Sequence, residues 1–213
     1  MKKPEKLKNM NEPPKISIVL PSKNNLRYLK WAIPSIKKNS YNKNHEILIF
    51  VDKDDDGTCD WLNIVKNEYN IKYWKNPSSE LFGIGKAYDF LINKSTTDIF
   101  CIFHADMYAT KDWDSNLLKY LKEKSVVCST RIEPPLHPEG KEKIVKNFGL
   151  WPEADVNDGF NEGALNEFVN KCKIEYKDKT SCSIFVKFKA ESRLKEIFSD
   201  APAETFFLIW TTT

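Results

Sequence analysis

The stretch "IFCIFHADMYATKDW", residues 99–113, begins as a buried strand and ends with chemistry. After mostly apolar residues the chain places His104 and Asp106 where a strand would leave its core. A turn accounts for one polar residue there, but the chain repeats the arrangement elsewhere. Between residues 15 and 130, short β-rich runs appear at "KISIVL", "HEILIFV", "IKYW", "DIFCIF" and "SVVCST". Helix-like stretches separate them. In "NLRYLKWAIPSIKK" the residues Leu26, Leu29, Ile33 and Ile36 recur at helical spacing, with Pro34 expected to kink or break the helix. "CDWLNIVKNEY", "GKAYDFLINKS" and "DWDSNLLKYLKEK" read as further helices, the last with Asp112 at its N-cap. Strands alternating with helices predict right-handed crossovers and a mostly parallel sheet with helices on both faces. In such sheets ligands gather outside the carboxyl ends of the strands.

Composition agrees with a globular α/β chain. Of 213 residues, 41% are apolar and 13% aromatic, enough for a substantial core. Thirty-three basic residues against thirty acidic ones leave a net charge of +3, too small to argue for nucleic-acid binding. The lysine-rich start, residues 1–14, lacks the apolar segment of a signal peptide and reads as a disordered basic tail. No apolar run approaches the roughly 18 residues of a spanning helix. The five cysteines (Cys59, Cys101, Cys128, Cys172 and Cys182) have no metal-site spacing, and a reducing, cytoplasmic setting fits them best.

Beyond residue 130 the pattern changes. "RIEPPLHPEGKEK" is proline-rich and loop-like, a helix is expected near Ala164 to Cys172, and "SCSIFVKF" and "KAESRLKEIF" read as a strand and a helix. The chain stops on the apolar "FFLIWTTT", which suggests that the natural protein continues. Residues 131–213 are thus expected to form a smaller, incomplete half beside the main unit of residues 15–130.

Three strand ends carry candidate residues toward one edge: Pro21, Ser22, Asn24 and Asn25 after the first strand, Asp52 and Asp54 to Asp56 after the second, and His104 and Asp106 after the fourth. Carboxylates meeting in one crevice repel unless a cation compensates them, and Mg2+ or Mn2+ takes oxygen ligands together with substrate phosphates. His104 adds an imidazole, which manganese accepts more readily. Asp52, nearest its strand, suits hydrogen bonding to a base or ribose; Asp54 to Asp56 read equally as a solvated acidic turn. A helix-loop-helix calcium site is excluded, because its bidentate glutamate position falls on Asn63 and a strand precedes the loop. In "LFGIGKAYDF" the amides at a helix start favour phosphate and Lys86 offers a point charge, although Gly83 and Gly85 serve a turn equally well. Trp113 and Trp151 are either sugar-stacking or core aromatics.

Together, "KISIVLPSKNN", "EILIFVDKDDDGT" and "FGIGKAYDFLINKSTTDIFCIFHADM" resemble the nucleotide-binding half of family 2 glycosyltransferases, of the GT-A fold. The resemblance implies a Rossmann-type, mostly parallel sheet forming a single domain with a smaller acceptor-side part. It also implies a nucleotide diphosphate sugar as donor, with UDP-sugars first among them. The acceptor, a hydroxyl on a glycan, lipid or protein, stays unspecified. Transfer would be inverting and metal-assisted, in a cytoplasmic protein with peripheral membrane association as an option. Pro21 and Ser22 would border the base, with Asn24, Asp54, Gly85 and Lys86 completing the nucleotide site. Asp52 would meet base or ribose, and Asp106 would be the last acid of an Asp-X-Asp metal motif in which His104 replaces the first. Glu204, with Asp200 as runner-up, would be the catalytic base. Two alternatives stand beside this reading: a nucleotide-sugar-binding module without catalysis, and a nucleotidyltransferase, disfavoured because "LPSKNN" lacks a glycine-rich loop.

If Glu204 is the base, Glu204→Gln should lower turnover by roughly two to four orders of magnitude while donor affinity barely changes. The same loss in Asp200→Asn alone would move the role to Asp200.

Overall fold

The computed structural model describes residues 14–122, 125–129, 131–133, 143–145, 148, 160–175 and 206–208. Strands β1 (Ser17–Lys23), β2 (Glu46–Lys53), β3 (Ile71–Lys75) and β4 (Ile99–Ile102) alternate with helices α1 (Leu26–Asn39), α2 (Thr58–Tyr69) and α3 (Ile84–Asn93). Then follow α4 (Trp113–Leu118), β5 (Val126–Val127), β6 (Arg131–Glu133), β7 (Lys143–Val145), α5 (Glu162–Glu175) and β8 (Phe206–Leu208). The main sheet has six strands in the order β3-β2-β1-β4-β8-β5, and every pairing in it is parallel. Strands β6 and β7 pair with each other alone, within the segment expected to be a loop.

The central strands are apolar on both faces, so both must be covered. Ile18, Leu20, Ile47, Ile49 and Val51 face one side, where Leu29, Ala32, Ile33 and Ile36 of α1 and Leu62 of α2 complete the core. Val19, Leu48, Phe50 and Phe100 face the other side and pack on Ala87 and Leu91 of α3. Successive residues point to opposite faces, which is the period-2 signature of a strand. Because β1 pairs with both β2 and β4, the chain winds outward one way through α1 and α2, then crosses back through α3. The crevice of such a sheet lies at that reversal, outside the carboxyl ends of β1 and β4.

Helix α1 runs through Pro34 without ending, so the break considered there does not occur. Ile33 and Ile36 on either side of the proline are buried against the sheet, and exposed Lys30, whose carbonyl loses its partner, lies toward water. Helix α4 spans six residues instead of the longer run. Asp112 precedes it in a left-handed conformation (φ 59°) and makes no side-chain cap. Past Leu118 the chain tightens into three-residue turns, Tyr120 N–H to Leu117 O at 3.1 Å and Leu121 N–H to Leu118 O at 3.3 Å.

Two buried carboxylates tie the covering segments to the sheet. Glu46, 1% exposed, accepts from Ser17 Oγ and from the amide and hydroxyl of Thr96, both at 2.8 Å, with Lys72 Nζ at 3.3 Å. Asp114, fully buried, accepts from the amides of Tyr41 (2.8 Å) and Asn42 (2.9 Å) and from His45 Nε2 (2.9 Å). His45 Nδ1 accepts the Ile16 amide at 3.1 Å, so its proton sits on Nε2, toward Asp114. Among the described residues no helix is long and apolar enough to cross a membrane.

Asp114→Ala should therefore cost about 3–5 kcal/mol in denaturant unfolding, since it strands buried donors. In both carboxylates burial is the largest influence and raises the pKa, but it is outweighed. Ser17, Thr96 and Lys72 do so at Glu46, and His45 with the amides of Tyr41, Asn42 and Ser115 at Asp114, so each titrates below its usual value. Their stabilisation is complete above the unfolded values, about 3.9 for Asp and 4.3 for Glu. It is lost as pH falls through the lower folded values. Unfolding free energy measured on the acid side should decline there, and less steeply in Asp114→Asn.

Candidate functional site

At the carboxyl edge the parity of the strands decides which side chains can meet a ligand. Ser22 is lateral to Val51 and shares the α1 and α2 face. It is 2% exposed, and its Oγ has no hydrogen-bond partner. Pro21 alternates with it and shares the α3 face with Phe50 and Asp52. Of the first-strand candidates, the structure brings Pro21 to the Asp52 side and seals Ser22 beneath it.

Asp52 ends β2 and is held by the connection from β3 to α3. Its Oδ1 accepts from Asn76 Nδ2 at 2.8 Å and the Phe82 amide at 2.7 Å, and its Oδ2 accepts the Gly83 amide at 3.0 Å. Burial, the largest influence, raises its pKa, but these donors and the nearby Lys23 hold the carboxyl below its usual value. It is therefore an anion at neutral pH. Gly83 has φ +89°, a conformation that side chains rarely adopt, and it delivers its amide to Asp52 while turning the chain into α3.

Helix α3 begins with Ile84, Gly85 and Lys86, whose amides have no intrahelical acceptor and no capping side chain. No acid occupies that first turn, Lys86 is exposed, and a methyl on Gly85 would meet nothing within 4 Å. An open, cationic helix start facing a strand edge is suited to an anion.

The acidic loop does something else. Asp56 Oδ2 accepts the Leu26 amide that opens α1 (2.8 Å), while its Oδ1 accepts the amide and hydroxyl of Thr58, which opens α2 (3.1 and 2.7 Å). Asp55 and Asn24 bond reciprocally, Asn24 Nδ2 to Asp55 Oδ2 at 3.0 Å and the Asp55 amide to Asn24 Oδ1 at 2.8 Å. Asn24 adopts φ 51° to do so. Asp54 accepts from the Cys59 amide and Lys75 Nζ, both at 3.2 Å. Asn24 and Asp54, expected at the nucleotide, are engaged in this clasp between two turns. Among the described residues no three of His, Cys, Asp and Glu gather as a metal cluster.

After β4 the chain makes one turn, closed by the Met107 amide on His104 O at 3.3 Å, and runs on along the sheet edge. Phe103, Ala105, Met107 and Ala109 are buried in alternation with His104, Asp106, Tyr108 and Thr110 on the outer side. The Phe103 amide donates to Val19 O (3.0 Å), the Ala109 amide to Ser35 Oγ (2.9 Å), and Asn39 Nδ2 to Ala109 O (2.8 Å), pinning the segment to β1 and α1. His104 rests edge-on against Tyr88 of α3, with ring centroids 6.1 Å apart, and the Tyr88 hydroxyl donates to Phe103 O at 3.4 Å. Burial lowers the His104 pKa, partly offset by Asp106, so the imidazole is neutral at neutral pH. Asp106 is exposed. Trp113, considered for stacking, is a core residue, 5% exposed with its Nε1–H on Ser40 Oγ at 2.9 Å. Trp151, Asp200 and Glu204 lie outside the described residues, as do the strand and helix expected over 181–198.

Sequence reading missed Asn76 and Tyr88. Asn76 had a signal in "KNPSS": its Oδ1 accepts the Ser78 amide at 3.0 Å, an Asx-turn of the kind asparagine makes before a proline turn. Tyr88 had none beyond its place on a helix.

A family model described as "Glycosyl transferase family 2" matches residues 17–176. The chain belongs to that family. Among solved structures, this family 2 chain is similar to S. aureus TarS 1–349, at 16% identity and TM-score 0.51 over 60% of this chain and 38% of that one. It is equally similar to TarS 1–349 in complex with UDP (16%, TM-score 0.52, 60% and 38%) and in complex with UDP-GlcNAc (15%, TM-score 0.52, 60% and 37%). At such identity the likeness establishes the fold, which is GT-A-like, and the chain spans less than two fifths of each of those chains. No curated protein matches.

The clasp makes a stability prediction. Asp56→Ala removes the partners of both helix starts and should cost about 1–2 kcal/mol for each cap lost. Thermal unfolding that leaves the midpoint unchanged would show that water replaces Asp56 at both helices.

Proposed function

We propose that this chain carries the donor-binding half of a glycosyltransferase that moves a sugar from a nucleotide diphosphate sugar to an acceptor hydroxyl. The observation that carries the reading is the edge on the α3 side, in a chain of this family. There Asp52 and Pro21 lie beside an uncapped helix start with Gly85 and Lys86, and the β4 end presents His104 and Asp106. TarS is solved with UDP and with UDP-GlcNAc, which favours uridine diphosphate as the leaving group here. Pro21 and Asp52 would border the nucleoside, with Ser22 buried beneath Pro21, and with Asn24 and Asp54 supporting them from the clasp. The α3 amides and Lys86 would take the diphosphate.

A divalent cation fits the residues present. Exposed Asp106 offers a carboxylate and His104 a neutral imidazole, the partial donor set that Mg2+ or Mn2+ completes with substrate phosphate and water. Such an ion, held by Asp106 with His104, would neutralise charge on the departing diphosphate. Inverting attack requires a base on the acceptor side, a role we assign to Glu204 before Asp200. The acceptor class, whether glycan, lipid or protein, is left open, and the working location is the cytoplasm, at a membrane surface if the acceptor is lipid-linked. A nucleotide-sugar-binding module without turnover is the second reading, favoured by the presence of one carboxylate, Asp106, where a motif of two acids is usual.

Calorimetric titration with UDP tests the reading. Mn2+ should tighten binding on the order of tenfold in the wild type and not in Asp106→Asn. Equal affinity in all four conditions would remove Asp106 from the site, and no binding to UDP or any other nucleoside diphosphate would remove the proposal. Turnover across a panel of nucleotide sugars separates enzyme from binding module.

A further inference from the structure

Asp52 makes more hydrogen bonds than contact with a nucleoside requires. A carboxylate offers about four acceptor positions. Three are taken by donors of one turn, residues 76–83: the Asn76 side chain, the Phe82 amide and the Gly83 amide. That turn is itself built around Asn76, which is 6% exposed. The Asn76 backbone amide donates to Val51 O at 2.8 Å, its Nδ2 also donates to Glu80 O at 2.8 Å, and its Oδ1 accepts from Ser78. Phe82 stacks on Phe50 of β2, with centroids 4.7 Å apart, closing the turn over the sheet. Gly83 follows with positive φ, and the free amides of Ile84, Gly85 and Lys86 come immediately after.

The geometry points to a positioning role: we infer that Asp52 and Asn76 together fix the start of α3, so that the carboxylate beside the nucleoside also aims the helix amides at the diphosphate. The inference rests on the donor reading above and deepens it. Asp52 has one acceptor position left for a base or ribose donor, so it serves both ends of the ligand. Asn76 touches neither end of the ligand and acts through the turn and through its bond to Asp52. Moving the turn would leave the nucleoside pocket of Pro21 and Asp52 in place and displace the phosphate-facing amides. Pre-set donors of this kind are worth most where they need not reorganise on binding.

The test uses the full chain with uridine and UDP as probes, together with amide hydrogen exchange. Asn76→Ala should speed exchange of the Phe82 and Gly83 amides at least about tenfold, because the opening free energy of the turn falls by about one hydrogen bond. The same variant should weaken UDP about tenfold while changing uridine affinity less than about twofold. Gly83→Ala, whose added methyl meets nothing within 4 Å but forces a side chain into positive φ at the amide that Asp52 holds, should reproduce the pattern if Asn76→Ala fails to fold. Equal losses for uridine and UDP, or exchange unchanged from wild type, would overturn the positioning role. If the wild type binds neither probe, the donor reading fails, while the exchange comparison still decides whether Asn76 holds the turn: acceleration supports it and no change overturns it.

Discussion

The cost of dehydrating a carboxylate shapes this fold. An acid leaves water only where donors replace its hydration shell, and the chain uses that demand to join its covering segments to the sheet. Glu46 gathers Ser17, Thr96 and Lys72 at the amino edge, and Asp114 gathers the turn before β2 and the ring of His45. At the carboxyl edge half-buried Asp52 collects the turn into α3, while Asp56, still exposed to water, accepts the first amides of α1 and α2. Each acid accepts from at least one backbone amide. Hydrophobic burial says that helices must cover the sheet; the carboxylates say where those helices begin.

That division of labour explains what could be read in advance. The strands and helices from residue 15 to 103 were legible because burial imposes a period of two or of 3.6 on the side chains, and periods survive in a bare sequence. The reversal at β1 was not spelled out, but strand–helix alternation with apolar runs on both faces leaves few arrangements. The acid run after β2 was illegible in role. A solvated acid, a ligand and a helix cap are all spelled Asp, and only the position of Leu26 relative to Asp56 tells them apart. Ser22 is buried for a simpler reason. Its parity with Leu20 and Ile18 already places it on the α1 and α2 face, so a strand end exposes only every second residue to the opposite side. Helix α4 was overread because Asp114, at a position suited to a helix start, is drawn instead toward Tyr41, Asn42 and His45.

The site itself stands on rigid parts. His104 and Asp106 leave β4 on a turn closed by the Met107 amide on His104 O, and the segment after it is fastened to α1 through Ser35 and Asn39. Tyr88 supports His104 from the opposite helix. Residues that must hold an ion or phosphate within a few tenths of an ångström gain from such support, since a mobile loop would surrender the same contacts to entropy.

Strand β8 has a consequence for how the chain reaches this state. It lies between β4 and β5 yet comes from residues 206–208, so Ile99 waits for Phe206 before its outer neighbour exists. During synthesis the first four strands emerge long before that partner. Until it arrives, β4 presents an unpaired row of amides and carbonyls beside apolar side chains, which is the kind of edge that recruits other chains. Contacts so distant in sequence also close slowly, because the loop entropy is lost before the pairing returns anything. The late arrival of one short strand thus makes the nascent protein most vulnerable to aggregation next to the strand that carries its chemistry.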